Sequence, residues 1–193
     1  MTTKRYVVGD KNGWIRVKRD DSAQEISLPE YLQVELMQHR LGRDYFKISE
    51  GVERGQKCSV KQGNLKSGVP DYQTSASVTF SLSKQLLTYS SGMVMAITDT
   101  SNPVPVGSYP IQIPDFPHPL GNNYLHKTDY AMSWFYLGYG KAVSGSKDRY
   151  LHPGRVSEGC VTVSPAGWTQ LYKYLITSRS GDASNVGRLT VVA

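Results

Sequence analysis

Tyr150-Leu151-His152-Pro153-Gly154-Arg155-Val156-Ser157-Glu158-Gly159-Cys160-Val161-Thr162-Val163 is the stretch that decides how this chain folds. It holds two β-prone runs, Arg149–His152 and Val161–Val163, joined by a polar loop with two glycines. Directly after it the period changes. Ser164-Pro165 has the form of an N-cap followed by a proline at the first helical position, and Trp168, Leu171, Tyr172 and Leu175 recur at helical spacing. Arg188–Val192 then closes the chain as a strand. Upstream, Val78, Phe80 and Leu82 alternate, as do Leu87 with Tyr89 and Tyr109 with Ile111 and Ile113. Met93–Thr98 and Trp134–Leu137 are further short strand candidates. Residues 73–193 are therefore expected to form a mainly β domain, a sandwich or barrel, with one helix near the C-terminus.

Residues 1–72 read as a separate, small α+β extension. Tyr6-Val7-Val8 and Trp14–Val17 flank turn chemistry at Gly9-Asp10-Lys11-Asn12-Gly13, which predicts a hairpin. A helix is expected over Pro29–Arg40, with Leu32, Leu36 and Met37 on one face and Gly42 as its stop. In that frame His39 sits near the helix end, where the macrodipole favours it. The polar stretch from Gly51 to Ser77, which contains Cys58, reads as a linker, with the boundary near residue 72.

Composition narrows the function classes. The chain has 193 residues, 39% of them hydrophobic, enough for a packed core. Two cysteines about a hundred positions apart make no disulfide framework. Four histidines without His-x-His or Cys-x-x-Cys spacing make no metal site. No run approaches the roughly 18 apolar residues of a membrane helix. Met1–Asp10 carries positive charge but no apolar core, so it is not a secretory signal. The net charge is +6, but residues 1–70 hold 13 Lys/Arg against 9 Asp/Glu and residues 71–193 hold 9 against 7. A basic surface spread this evenly suits any anionic polymer, cell wall included, and is not the concentrated patch of a nucleic-acid binder.

Chemistry concentrates on His152 and Cys160, eight positions apart. A free thiol is only a few per cent thiolate at neutral pH, and an adjacent imidazole accepts its proton. Gly159 permits unusual backbone angles and lets a substrate carbonyl approach backbone N–H groups, while Ser157 caps the loop or adds a hydrogen bond. Read alone, a cysteine beside a strand is a small buried hydrophobe, so the weight lies in the context. His126, in the long loop 116–129, is a reserve base. His118, between Pro117 and Pro119, reads as exposed turn. Arg155 offers a fork for a substrate carboxylate. Trp134 and Tyr139 are candidates for a substrate groove.

Three segments, in order, resemble the L,D-transpeptidase catalytic domain. Ser157-Glu158-Gly159-Cys160-Val161 is similar to its Ser-His-Gly-Cys motif followed by a β-branched residue. Val104-Pro105-Val106-Gly107-Ser108-Tyr109-Pro110-Ile111 resembles its Thr-Pro-x-Gly-x-Tyr/Phe-x-Ile segment, and 78–89 its opening hairpin. Glu158 departs from the motif's histidine, Thr162 stands where many members have arginine, and the spacing from His152 to Cys160 is short. Those departures resemble the effectors of this family delivered by type VI secretion. The resemblance implies cysteine-dependent acyl transfer on peptidoglycan stem peptides, with Cys160 as nucleophile, His152 as base and Tyr109 beside the substrate, and it requires no cofactor. It also implies action in the periplasm or cell wall, an immunity protein as partner, and export by a secretion apparatus or from a sequence trimmed of its leader. A cysteine peptidase or amidase with another substrate, and a catalytically inactive wall-binding module, are the alternatives.

Overall fold

The computed structural model describes residues 3–143 and 146–193, with 139–143, 146 and 147 described by their backbone alone. The chain is mostly β, in two sheets, with one α-helix among the described residues. The first seven strands are β1 (Thr3–Val7), β2 (Trp14–Arg19), β3 (Glu25–Pro29), β4 (Gln33–Arg40), β5 (Arg43–Ile48), β6 (Lys57–Lys61) and β7 (Leu65–Ser67). They form one sheet in the order β3-β2-β6-β5-β4-β1-β7, every pair antiparallel.

Four expectations for this half are overturned. The helix over 29–40 is the β3–β4 turn and strand β4, because Leu32, Val34 and Leu36 alternate inward, all under a tenth exposed, while Met37 points out. His39 consequently lies on a strand, where its Nδ1 meets Asp44 Oδ1 at 2.6 Å, and no helix dipole acts on it. The expected hairpin of β1 with β2 is absent: β1 pairs with β4 and β7 instead. The expected linker contains β6 and β7, and its Cys58 is a core residue, 1% exposed.

The remaining strands are β8 (Ala76–Ser81), β9 (Leu86–Tyr89), β10 (Gly92–Ile97), β11 (Gly107–Gln112), β12 (Phe135–Val143), β13 (Ser146–Pro153), β14 (Val161–Val163) and β15 (Asn185–Val192). Their order is β11-β15-β8-β9-β10-β14-β13-β12, and the outer strands β11 and β12 lie close together, which curls the sheet nearly into a barrel. The alternating runs of the sequence supply these strands. The helix α1 (Pro165–Ile176) has Ser164 at its N-cap position and buries Trp168, Leu171, Tyr172, Leu175 and Ile176. It packs on β10, β13 and β15, and one continuous apolar core runs through both sheets.

Candidate active site

Strands β13 and β14 pair in parallel, with His152 opposite Thr162 and Leu151 opposite Val161. Parallel neighbours ordinarily need a crossover of a dozen or more residues; here residues 154–160 alone bring the chain back. The loop is pinned where it returns. Ser157 Oγ donates to Cys160 O at 2.8 Å, the Arg155 N–H donates to Tyr124 Oη at 3.2 Å, and the Gly154 N–H donates to Val163 O at 2.9 Å. Extending the register by one residue sets Cys160 beside Tyr150, whose N–H donates to the sulfur at 3.4 Å. His152 and Thr162, opposite each other, face the same way, and Cys160 joins His152 at one cavity. Cys160 lies one residue before β14 and His152 one before the end of β13, so the loop sets the two at neighbouring strand ends.

Both open on one cavity of about 250 Å³, lined also by Leu120, Tyr124, Trp134 and Glu158. The imidazole is 8% exposed. Its Nδ1 lies 3.0 Å from Pro153 O, a pure acceptor, so Nδ1 carries the proton. Nε2 then holds the lone pair and faces Thr162 Oγ1 at 3.2 Å. No hydrogen bond runs directly from imidazole to sulfur. Burial lowers the His152 pKa to about 4, while the Pro153 carbonyl pulls it up. Burial pushes the Cys160 thiol up, against the Tyr150 N–H and the Arg149 guanidinium, which pull it down.

Trp134 stacks on His152 with ring centroids 4.3 Å apart. On its other face lies His118, at 4.4 Å and nearly parallel, with Phe116 stacked beyond it at 4.3 Å. His118 is therefore no exposed turn: it is 7% exposed, and its Nε2 meets Asp115 Oδ1 at 3.0 Å. Asp115 Oδ2 in turn accepts from the Tyr150 hydroxyl at 3.3 Å. This stack holds the base's ring plane. The Pro-His-Pro context conceals it, because the burial comes from Trp134 and Tyr150, distant in sequence, as well as from nearby Phe116.

The other expected residues are placed as follows. Gly159 adopts φ +105°, a left-handed angle that favours glycine. Ser157 spends its hydroxyl on the Cys160 carbonyl. Arg155 lines a neighbouring groove with Lys127, Gly154, Thr162 and the start of α1. Tyr109 lies on β11 with its hydroxyl on Pro105 O at 2.7 Å, and His126 is exposed; neither lines the Cys160 cavity. The Tyr139 side chain falls outside the described residues. Arg149, Thr162 and Asp115 are site residues that sequence reasoning missed. Among the described residues no cluster of three or more His, Cys, Asp or Glu side chains could hold a metal, and no helix is long and apolar enough to cross a membrane.

No family model matches the chain, and no curated protein matches it. Among solved structures it is similar to L,D-transpeptidase 1 of Mycobacterium tuberculosis, with a TM-score of 0.37 and 12% identity over 78% of this chain and 90% of that one. It is also similar to an L,D-transpeptidase from Mycobacterium smegmatis, with a TM-score of 0.32 and 12% identity over 99% of this chain and 82% of that one. Likenesses of this size carry no argument, so the chemistry has to come from the chain's own residues.

Proposed function

We propose that the chain is a cysteine acyltransferase acting on peptidoglycan stem peptides in the cell wall, with residues 73–193 as its catalytic part and 1–72 as an extension. The observation that carries this reading is that Cys160 and His152 open on one cavity, the imidazole neutral with its lone pair on Nε2. The substrate class comes from the motif resemblance. Delivery by a type VI apparatus and blockade by an immunity protein rest on that resemblance alone.

In this mechanism Cys160 Sγ attacks the carbonyl of the bond between the third residue's L-centre and the terminal D-alanine. With its pKa pushed up by partial burial, the thiol loses its proton as the C–S bond forms, with Nε2 of His152 as acceptor. The Thr162 hydroxyl, 3.2 Å from Nε2, also has the Val156 carbonyl at 3.2 Å as an acceptor, so its proton can turn there and leave the lone pair open. Backbone N–H groups around Gly159 and Cys160 stabilise the oxyanion, about 3–4 kcal/mol per donor in comparable sites. Collapse expels D-alanine, whose amine takes the proton from the imidazolium. The thioester then passes to an amine, giving a cross-link or D-amino-acid exchange, or to water, giving carboxypeptidase activity.

The lack of a direct imidazole–sulfur hydrogen bond favours one rival, an inactive wall-binding module, and a single experiment separates the two. Wild type, Cys160→Ala and His152→Ala are incubated with a carbapenem and with purified sacculi. Acyl transfer predicts a mass adduct lost in Cys160→Ala, acylation slowed about a hundredfold or more in His152→Ala, and altered muropeptides with wild type only. Wild-type protein that forms no adduct and leaves sacculi unchanged refutes it.

A further inference from the structure

Arg149, on β13, is 4% exposed, yet no ion pair among the described residues includes it. Arginine is almost never buried this fully without a carboxylate partner, so its position calls for a reason. Its Nη1 donates to the Gly159 carbonyl and, at 3.5 Å, to Asn102 O; Nη2 donates to Asn102 Oδ1 at 3.1 Å. Asn102 is held in turn by Asp99, whose Oδ1 accepts the Asn102 N–H at 3.1 Å and the Ser101 N–H at 2.6 Å. A chain of hydrogen bonds thus runs from the loop after β10 to the peptide just before the nucleophile. A Cβ on Gly159 would fall 2.8 Å from Arg149 Nη1 and 2.9 Å from Asn102 Nδ2, so a side chain there would push the two partners aside, and φ +105° disfavours one as well.

The Gly159–Cys160 peptide is planar and trans, so its carbonyl and its N–H point in opposite directions. Whatever fixes the Gly159 carbonyl fixes the Cys160 N–H, one of the donors assigned to the oxyanion. A cation on the carbonyl also polarises the amide and makes that N–H a stronger donor. We propose that Arg149 is the positioning residue of the nucleophile: its guanidinium clamps the Gly159–Cys160 peptide and places a permanent positive charge behind the sulfur. The inference rests on the assignment of Cys160 as nucleophile, and it adds an element that no segment of the motif resemblance contains. The pull of Arg149 on the Cys160 thiol supports it. Lysine is no full substitute, because a single ammonium keeps the charge but cannot span Asn102 and Gly159 with one planar fork.

The test is the pH dependence of Cys160 alkylation by iodoacetamide, followed by peptide mass mapping in the full chain, for wild type, Arg149→Met and Arg149→Lys. Arg149→Met is expected to move the thiol midpoint up and slow alkylation at pH 8 about tenfold. Arg149→Lys, keeping the charge, should stay within about threefold of wild type there while its carbapenem acylation falls about tenfold or more. A folded Arg149→Met with the wild-type profile overturns the inference, and so do equal shifts in both variants. If Arg149→Met does not unfold cooperatively, Asn102→Ala carries the test: it frees the fork, so alkylation at pH 8 should fall about threefold, and an unchanged rate overturns the clamp. Alkylation needs no acyl donor. A wild type that titrates as described but never acylates therefore refutes the proposed function and leaves the role of Arg149 standing.

Discussion

The two sheets of this molecule each carry one cysteine and treat it in opposite ways. In the N-terminal sheet every strand pair is antiparallel, and Cys58 sits on β6 between Phe46 of β5 and Arg19 of β2, 1% exposed. Desolvation pushes its thiol up to about 11. In the C-terminal sheet two pairs are parallel, β13 with β14 and β15 with β8. A parallel pair forces the connecting chain back across the sheet, and the tight return of 154–160 leaves Cys160 half-buried at a cavity, under a backbone N–H and a guanidinium. The difference teaches that strand direction made the reactive position, by interrupting regular pairing where the loop comes home. The largest effect expected from it is in alkylation. At pH 8 Cys160 should react at least about ten thousand times faster than Cys58, which is reached only by opening the core. Mass mapping of both peptides after timed iodoacetamide treatment measures the ratio, and a Cys58 within tenfold of Cys160 breaks the comparison.

The sheets are also tied together by a buried ion pair. Arg179, beyond α1, donates from Nε to Glu50 Oε2 at 2.9 Å and from Nη2 to Glu50 Oε1 at 2.8 Å. Its guanidinium lies over the Tyr72 ring at 4.3 Å, and Nη2 also reaches Tyr31 O at 3.2 Å. Glu50 further accepts the Gln33 N–H at 2.9 Å, so the carboxylate, 4% exposed, is held from both sides. Removing the arginine strands a buried charge. Arg179→Met should cost about 3–5 kcal/mol in urea unfolding, and adding Glu50→Leu should recover most of that. A single variant costing under about 1 kcal/mol, or unfolding in two separate transitions, would show that the sheets stand independently.

The C-terminal half was legible because its strands alternate cleanly and its helix opens at Ser164-Pro165. The N-terminal half was not, for a reason visible at Leu32, Val34, Leu36 and Met37. Leu32 and Leu36 fit both a helical face and a strand face. Val34, buried at 1%, and Met37, 43% exposed, decide for the strand, and a register shift between Leu36 and Gln38 marks where β4 departs from simple pairing. Tyr31, at φ +61°, makes the turn that Pro29 had suggested was a helix start. β6 escaped notice because its burial depends on β2, distant in sequence, as well as on the preceding β5. At the site, His152 and Cys160 announced themselves through local chemistry. The stacking of His118 on Trp134 and the clamp of Arg149 on Gly159 and Asn102 join residues of separate elements, and no local spacing encodes them.

The smallest expected effect is a pH dependence that belongs to the C-terminal sheet alone. An unfolded His152 binds a proton near its ordinary value of 6.5, whereas the folded one refuses it until about 4, because burial disfavours the charge. Between those two values the unfolded state holds more protons, so stability falls as pH drops, and the loss is complete once pH is below both. The shift corresponds to about 3 kcal/mol. Carboxylates titrate in the lower part of the same window, so the wild-type curve alone does not isolate the imidazole. The quantity to measure is the difference in unfolding free energy between wild type and His152→Gln at pH 7 and pH 4. The glutamine costs stability at pH 7 by disturbing the stack on Trp134 and the contact with Thr162. That cost should shrink by about 3 kcal/mol at pH 4, since glutamine has no proton to refuse. A difference that stays constant across the window would mean that the imidazole is solvated, and a solvated imidazole would not be held neutral by burial as a base must be in the mechanism proposed for Cys160.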